Sequence, residues 1–210
     1  DAAWPAAGAP RDLDGWLASW LRARYGVDDA ALRAAWSDLW PAVYQVSNWK
    51  TAWWNGAFGC YLLCKRPHAK FADFDTEPGD LPRLLKAARA LAQAATRHPR
   101  AALLRHDVVA ASAHAGLLWV DRELQACLKA LKARDARAAE AHWKAVQQQV
   151  PAIDALLGAQ PVSLARWTDT ARRYGDTPET ARLYVEQARL QVSVWGGDAV
   201  LNDYASKAWH

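Results

Sequence analysis

TPETARLYVEQARLQVSVWGGDAVLNDYASKAW, residues 177–209, is the stretch whose reading decides the fold. Thr177-Pro178-Glu179 is a helix start: a hydroxyl to cap the first turn, a proline whose missing N–H costs nothing there, and an acid at the positive end of the helix dipole. Leu183, Leu190 and Val194 then recur at helical spacing, with Val185 and Val192 widening them into an apolar stripe. Gly196-Gly197 ends that helix, and Asp198 is placed to cap the next. Arg189 on the first helix and Asp203 after the turn carry opposite charges. Together with Trp195 they read as a structural clasp that fixes the angle between two helices.

Working back along the chain, the same helical grammar holds from Asp80. Leu81, Leu84, Leu85, Ala88 and Leu91 predict a helix that stops near His98-Pro99. A very long helix follows from about Ala101 to Lys132, and another from Ala136 to Leu157, bent or broken at Pro151. At the other end, residues 1–11 are rich in Ala, Pro and Gly and read as a linker or arm. Asp12-Leu13-Asp14 opens a helix carrying Trp16, Leu17, Trp20 and Leu21, and Gly26 stops it. The next helix starts at Asp28 or Asp29, carries Leu32, Ala35, Trp36, Leu39 and Val43 on one face, and should kink or restart at Pro41. Between Ser47 and Pro78 the periodicity fails. Trp49, Trp53, Trp54, Phe58, Tyr61, Phe71 and Phe74 crowd this stretch, so it reads as one long aromatic-rich loop with work to do rather than as disorder. No strand pattern occurs anywhere. The expected fold class is all-α, an elongated multi-helix bundle.

The run from Tyr184 to Gly196, followed by Leu201 to Trp209, resembles the C-terminal helical domain of the α-N-acetylglucosaminidases, glycoside hydrolase family 89. Arg189, Gln191, Trp195, Gly196, Leu201, Asp203, Tyr204, Ala205, Lys207 and Trp209 fall in register with the family pattern. Gln187 replaces an Asn and Ser193 a Thr, and both keep the polar group. Arg24-Tyr25-Gly26, Ala35-Trp36 and Val43-Tyr44 echo the start of the family domain, and Arg105-His106-Asp107 matches an Arg-Tyr-Asp with the ring changed. Arg66-Pro67 matches a dipeptide that the family follows with an aromatic pair contacting the terminal sugar. Phe74-Asp75 stands where that pair belongs, which keeps the aromatic face and loses the hydroxyl. Arg66, Phe71, Phe74 and Asp75 are thus the substrate-binding candidates, while Phe71 and Phe74 read equally well as pins holding the loop to the helices.

The resemblance implies a helical domain over residues 12–210 that continues beyond this chain. The complete enzyme of the family removes terminal α-linked N-acetylglucosamine from glycans with retention, using two glutamates on a (β/α)-barrel that precedes the helical domain. The expected partners are therefore that barrel, in the same parent chain, and a glycan. The chain itself is expected to hold no catalytic residue, no metal and no cofactor.

Elementary chemistry agrees with that division of labour. A glycosidase needs two carboxyls facing one sugar, yet Glu123, Glu140, Glu179 and Glu186 sit on separate amphipathic helices and read as solvated or capping. His106 and His114 stand eight apart near Asp107 and Asp121, whereas helical metal-ligand pairs stand three or four apart. Cys60, Cys64 and Cys127 make an odd count, which excludes a full disulfide framework; they read as buried or free thiols, or as one bridge within the loop. The net charge of +4 comes from interleaved Lys, Arg, Asp and Glu, which argues against nucleic acid as a partner. No stretch is apolar enough to cross a membrane. With 13 Trp and no Met, a chain starting at Asp1 reads as processed or as a fragment, and its Ala, Arg and Trp richness suggests a bacterial parent that is secreted or periplasmic. The competing reading is a stand-alone Trp-rich helical module that binds a carbohydrate or a protein partner.

Overall fold

The computed structural model describes residues 12–44, 63, 80–161 and 163–191. Over these the chain forms seven helices and no strand: α1 (Leu13–Tyr25), α2 (Ala30–Tyr44), α3 (Leu81–Arg97), α4 (Ala102–Lys132), α5 (Ala136–Gly158), α6 (Leu164–Arg172) and α7 (Pro178–Gln191). The all-α expectation holds. Of the stretch from Ser47 to Pro78 only Leu63 lies within the described residues, where it packs on the core formed by α4 and α5.

Capping sets most of the boundaries. Asp12 begins α1 by accepting a hydrogen bond from the Gly15 N–H at 2.8 Å. Gly26 ends it in the left-handed region at φ 71°, donating its N–H to the Arg22 carbonyl at 2.9 Å. Asp80 and Asp135 start α3 and α5 in the same way, through Arg83 N–H and Ala138 N–H. The two internal prolines do not break their helices: α2 runs through Pro41 and α5 through Pro151. Each forgoes one backbone bond, and the buried faces on both sides, Leu39 and Ala42 in α2 and Val146 and Ile153 in α5, keep the element whole.

Helices α1 to α4 enclose one core, in which Leu21, Leu32, Leu84, Leu91 and Leu104 are almost fully buried. Each such leucine contributes roughly 2 kcal/mol relative to exposure. Two acids, Asp29 just before α2 and Asp38 within it, fasten α2 antiparallel to α3. Asp29 takes Arg97 Nη2 at 3.0 Å and lies 2.8 Å from His98 Nε2, at the end of α3. Asp38 takes Lys86 Nζ at 2.6 Å near its beginning.

The second half of α4 forms a separate core with α5, where Leu117 and Val120 meet Val146 and Ile153. Gly116 allows this approach, since a Cβ there would lie 3.0 Å from Ile153 Cγ1. The turn between the two helices uses one residue twice. Asp135 donates its N–H back to the Ala130 carbonyl at 2.9 Å, closing α4, while its side chain caps α5. This geometry forces Arg134 to φ 60°.

The α6–α7 hairpin differs from the stripe expected for it. Val185 and Ala188 are buried against α6, whereas Leu183 is 52 % and Leu190 42 % exposed. At about 100° per residue these two pairs lie on opposite sides of the helix, so Val185 does not widen the leucine stripe. Thr177 does cap α7 as expected, with its Oγ1 accepting from Thr180 N–H at 3.2 Å. Trp167 Nε1 ties α6 to α7 by donating to the Ala188 carbonyl at 3.1 Å. Gly175 passes so close that a Cβ would lie 2.2 Å from the Ala181 amide nitrogen.

Two substitutions check this account. Arg134→Gly relieves the left-handed strain and is expected to raise stability by about 1 kcal/mol in urea unfolding. Gly175→Ala has no room and is expected to cost about 1–3 kcal/mol, read as faster hydrogen exchange confined to α6 and α7.

Candidate functional site

Arg24 and Tyr25 occupy the last turn of α1, which Gly26 ends. Asp107 lies near the start of α4. Across this gap Arg24 donates Nε to Asp107 Oδ2 and Nη2 to Oδ1, both at 2.6 Å. Tyr25 Oη donates to the same Oδ2 at 2.5 Å. A planar guanidinium matched to a carboxylate by two parallel bonds gives direction as well as strength.

Aromatic rings surround this ion pair. The Arg24 guanidinium lies 5.4 Å from the centre of the Trp20 ring and 5.7 Å from that of Tyr25. Trp20 meets Tyr25 and Trp36 edge-on, at 6.0 and 4.7 Å between centroids. On its other side it stacks with Trp16 at 6.2 Å and an interplanar angle of 16°. Among the described residues Trp36 Nε1 is buried without a hydrogen-bond partner, a local cost of about 1–3 kcal/mol that the surrounding ring packing must offset.

The electrostatics follow from the contacts. Burial pushes the Asp107 carboxyl upward, but the hydrogen bonds from Arg24 and Tyr25 outweigh it and hold the group below the usual carboxylate range. Tyr25 is raised well above an ordinary phenol, first by burial and then by its bond to Asp107. Arg24 is raised by its hydrogen bond to Asp107. A carboxylate so occupied stays ionised at neutral pH and exchanges no proton there. The cluster is a lock between α1 and α4.

The substrate-binding candidates Arg66, Phe71, Phe74 and Asp75 lie outside the described residues, as do Trp195, Asp203, Tyr204, Lys207 and Trp209 of the C-terminal signature and Cys60 and Cys64. Arg189 and Gln191 fall in the last turn of α7, both exposed. Cys127 is buried and free. Its Sγ donates to the Ala139 carbonyl at 3.4 Å.

Of the four glutamates on the described helices, Glu123 lies 2.8 Å from His142 Nδ1, and Glu140 pairs with Lys144 Nζ at 2.7 Å. Glu179 and Glu186 are exposed on α7. No group of three His, Cys, Asp or Glu among the described residues could hold a metal ion. His106 instead lies with its Nδ1 3.6 Å from Asp107.

The family model described as the alpha-N-acetylglucosaminidase (NAGLU) C-terminal domain matches residues 16–210. The chain belongs to that family. No curated protein matches it. In this alpha-N-acetylglucosaminidase domain, two short stretches that resemble the family pattern separately, Arg24-Tyr25-Gly26 and Arg105-His106-Asp107, meet as the two halves of one lock. The sequence shows both motifs but not their pairing, because 83 positions separate Arg24 from Asp107. The available signal was their opposite charge at the end of one helix and the beginning of another.

Linkage fixes the pH response. A carboxyl whose folded pKa lies below its unfolded value of about 3.9 contributes its full stabilisation above that value and loses it as pH falls through the folded one. Asp107→Asn is therefore expected to flatten the decline in stability below about pH 4. Asp107→Ala strands Arg24 and should cost about 3 kcal/mol at neutral pH. Urea unfolding followed by circular dichroism from pH 2 to 7 reads both.

Proposed function

We propose that this chain is the non-catalytic helical domain of a retaining glycoside hydrolase of family 89, which removes terminal α-linked N-acetylglucosamine from glycans. The family match over residues 16–210 carries this reading. Two features of the described residues support the division of labour: a fold built only of helices, and glutamates that are paired or exposed on three different helices. In this reading the catalytic carboxylates belong to a barrel elsewhere in the parent chain. The helical domain packs beside that barrel and shapes one wall of the cleft. Arg66, Phe71, Phe74 and Asp75 are the residues that reach the terminal sugar, with the Phe74 ring stacking on an apolar sugar face. The parent is exported, to the periplasm or the medium.

The isolated chain is expected to leave a chromogenic α-N-acetylglucosaminide intact, while the parent enzyme turns it over. Turnover by the 210 residues alone refutes the assignment. In the parent, Phe74→Ala should raise KM about tenfold with a smaller change in kcat, as expected when a stacking contact worth about 1.4 kcal/mol to the bound substrate is removed. An unchanged KM removes Phe74 from the cleft.

A further inference from the structure

We infer that the outer face of the first turn of α1, formed by Leu13 and Trp16, is the surface on which the catalytic part of the parent enzyme seats. The inference rests on the family reading above and adds to it the residues that make the contact. Leu13 is 63 % and Trp16 54 % exposed. A lone exposed leucine is ordinary surface. An exposed tryptophan that is already held in place is not.

Trp16 stacks on Trp20, and Trp20 is wedged edge-on by Tyr25 and Trp36. The Arg24 guanidinium lies over Trp20 and is itself fixed by both oxygens of Asp107. Order therefore passes from a partly buried ion pair, through two rings, to a large apolar surface open to water. A side chain restrained in this way loses little entropy when a partner covers it. Large, preordered aromatics of this kind are the residues that dominate interface energies. Asp12 and Asp14 flank the patch, giving it a charged border.

The occupant follows from the direction of the chain. The matched family is a C-terminal domain, so the rest of the enzyme precedes it, and the polypeptide enters the helical unit at Asp12, which caps α1 itself. The first turn of α1 is then the surface tethered most closely to the preceding domain, and a short tether raises the effective concentration of a partner to the millimolar range. The other exposed large apolar residues, from Trp40 and Leu103 to Leu183 and Leu190, lie farther along the chain from that entry point.

Hydroxyl-radical footprinting of the parent enzyme and of the 210-residue chain, read by mass spectrometry, tests the inference. Trp143, on α5 and 46 % exposed, serves as the internal reference. Trp16 oxidation is expected to fall by about fivefold or more in the parent, as for a residue in a desolvated interface centre, while Trp143 changes little. Equal oxidation of Trp16 in both proteins overturns the inference and leaves the proposed function standing. So does protection of Leu183 and Leu190 with Trp16 still open. A natural protein of only 23.2 kDa, with no larger parent, overturns both. Trp16→Ser in the parent gives a second readout: circular dichroism stays unchanged, because the side chain is half exposed, while the junction before α1 becomes open to protease. A junction as resistant as in the unmutated parent counts against the contact.

Discussion

The Asp107 carboxylate, filled by three donors from a single turn of α1, is the interaction on which the front half of the molecule depends. Burial and charge pull in opposite directions there. Taken alone, partial burial would favour the neutral acid. A bidentate guanidinium and a phenol reverse that balance and turn a liability into a directional bond. The direction matters because, among the described residues, α1 otherwise meets the bundle mainly through apolar and ring contacts. Leu21 and Tyr25 place it in the core, but apolar contact tolerates sliding, whereas two parallel hydrogen bonds do not. The position of α1 in turn sets that of Trp20, and with it the ring cluster that includes Trp36.

Helix α4 is the other organising element. Its first half closes the core of α1 to α3, and its second half builds a core with α5. At 31 residues it is about 46 Å long, enough to serve two cores in succession. The α2–α3 pair is held at both ends by carboxylates, Asp29 and Asp38, that sit deeper than the cations they bind. The α6–α7 hairpin is fastened differently, its Arg172–Asp169 ion pair lying within α6. Its buried side chains are Thr168, Val185 and Ala188, and its integrity rests on the close passage at Gly175 and the Trp167 hydrogen bond.

Helix starts and stops were legible in the sequence because caps are local chemistry. Asp12, Gly26, Asp80 and Thr177 each act within a few residues of where they stand, and each does what its side chain or its missing Cβ allows. The faces of well-packed helices were legible too, as with Leu84 and Leu91 of α3. The α7 face was misread because a stripe of leucines signals burial only when something covers it, and within the described residues α6 covers the opposite side. Of the two outcomes expected at each proline, a bend or a break, the break does not occur at Pro41 or Pro151, since tertiary packing on both flanks decides whether a helix ends. The Arg24–Asp107 lock could not be read at all, since nothing local says that two motifs so far apart will touch. The substrate-binding candidates from Arg66 to Asp75 were legible through the family's Arg-Pro dipeptide and lie outside the described residues.

The double use of Asp135 has a consequence for the order in which the molecule assembles. Closing α4 and starting α5 with one residue keeps the loop between them short, from 133 to 135, so its ends meet with little loss of chain entropy. The Val120 and Val146 contacts that follow join residues near in sequence, and such local units form early and fast. The lock on Asp107 spans a far longer stretch of chain and must wait until the helices on both sides are in place. In sequence separation the α4–α5 hairpin is a local unit, and the lock that fastens α1 is a far less local one. The first of the described helices is thus fastened by a contact that spans 83 positions of the chain.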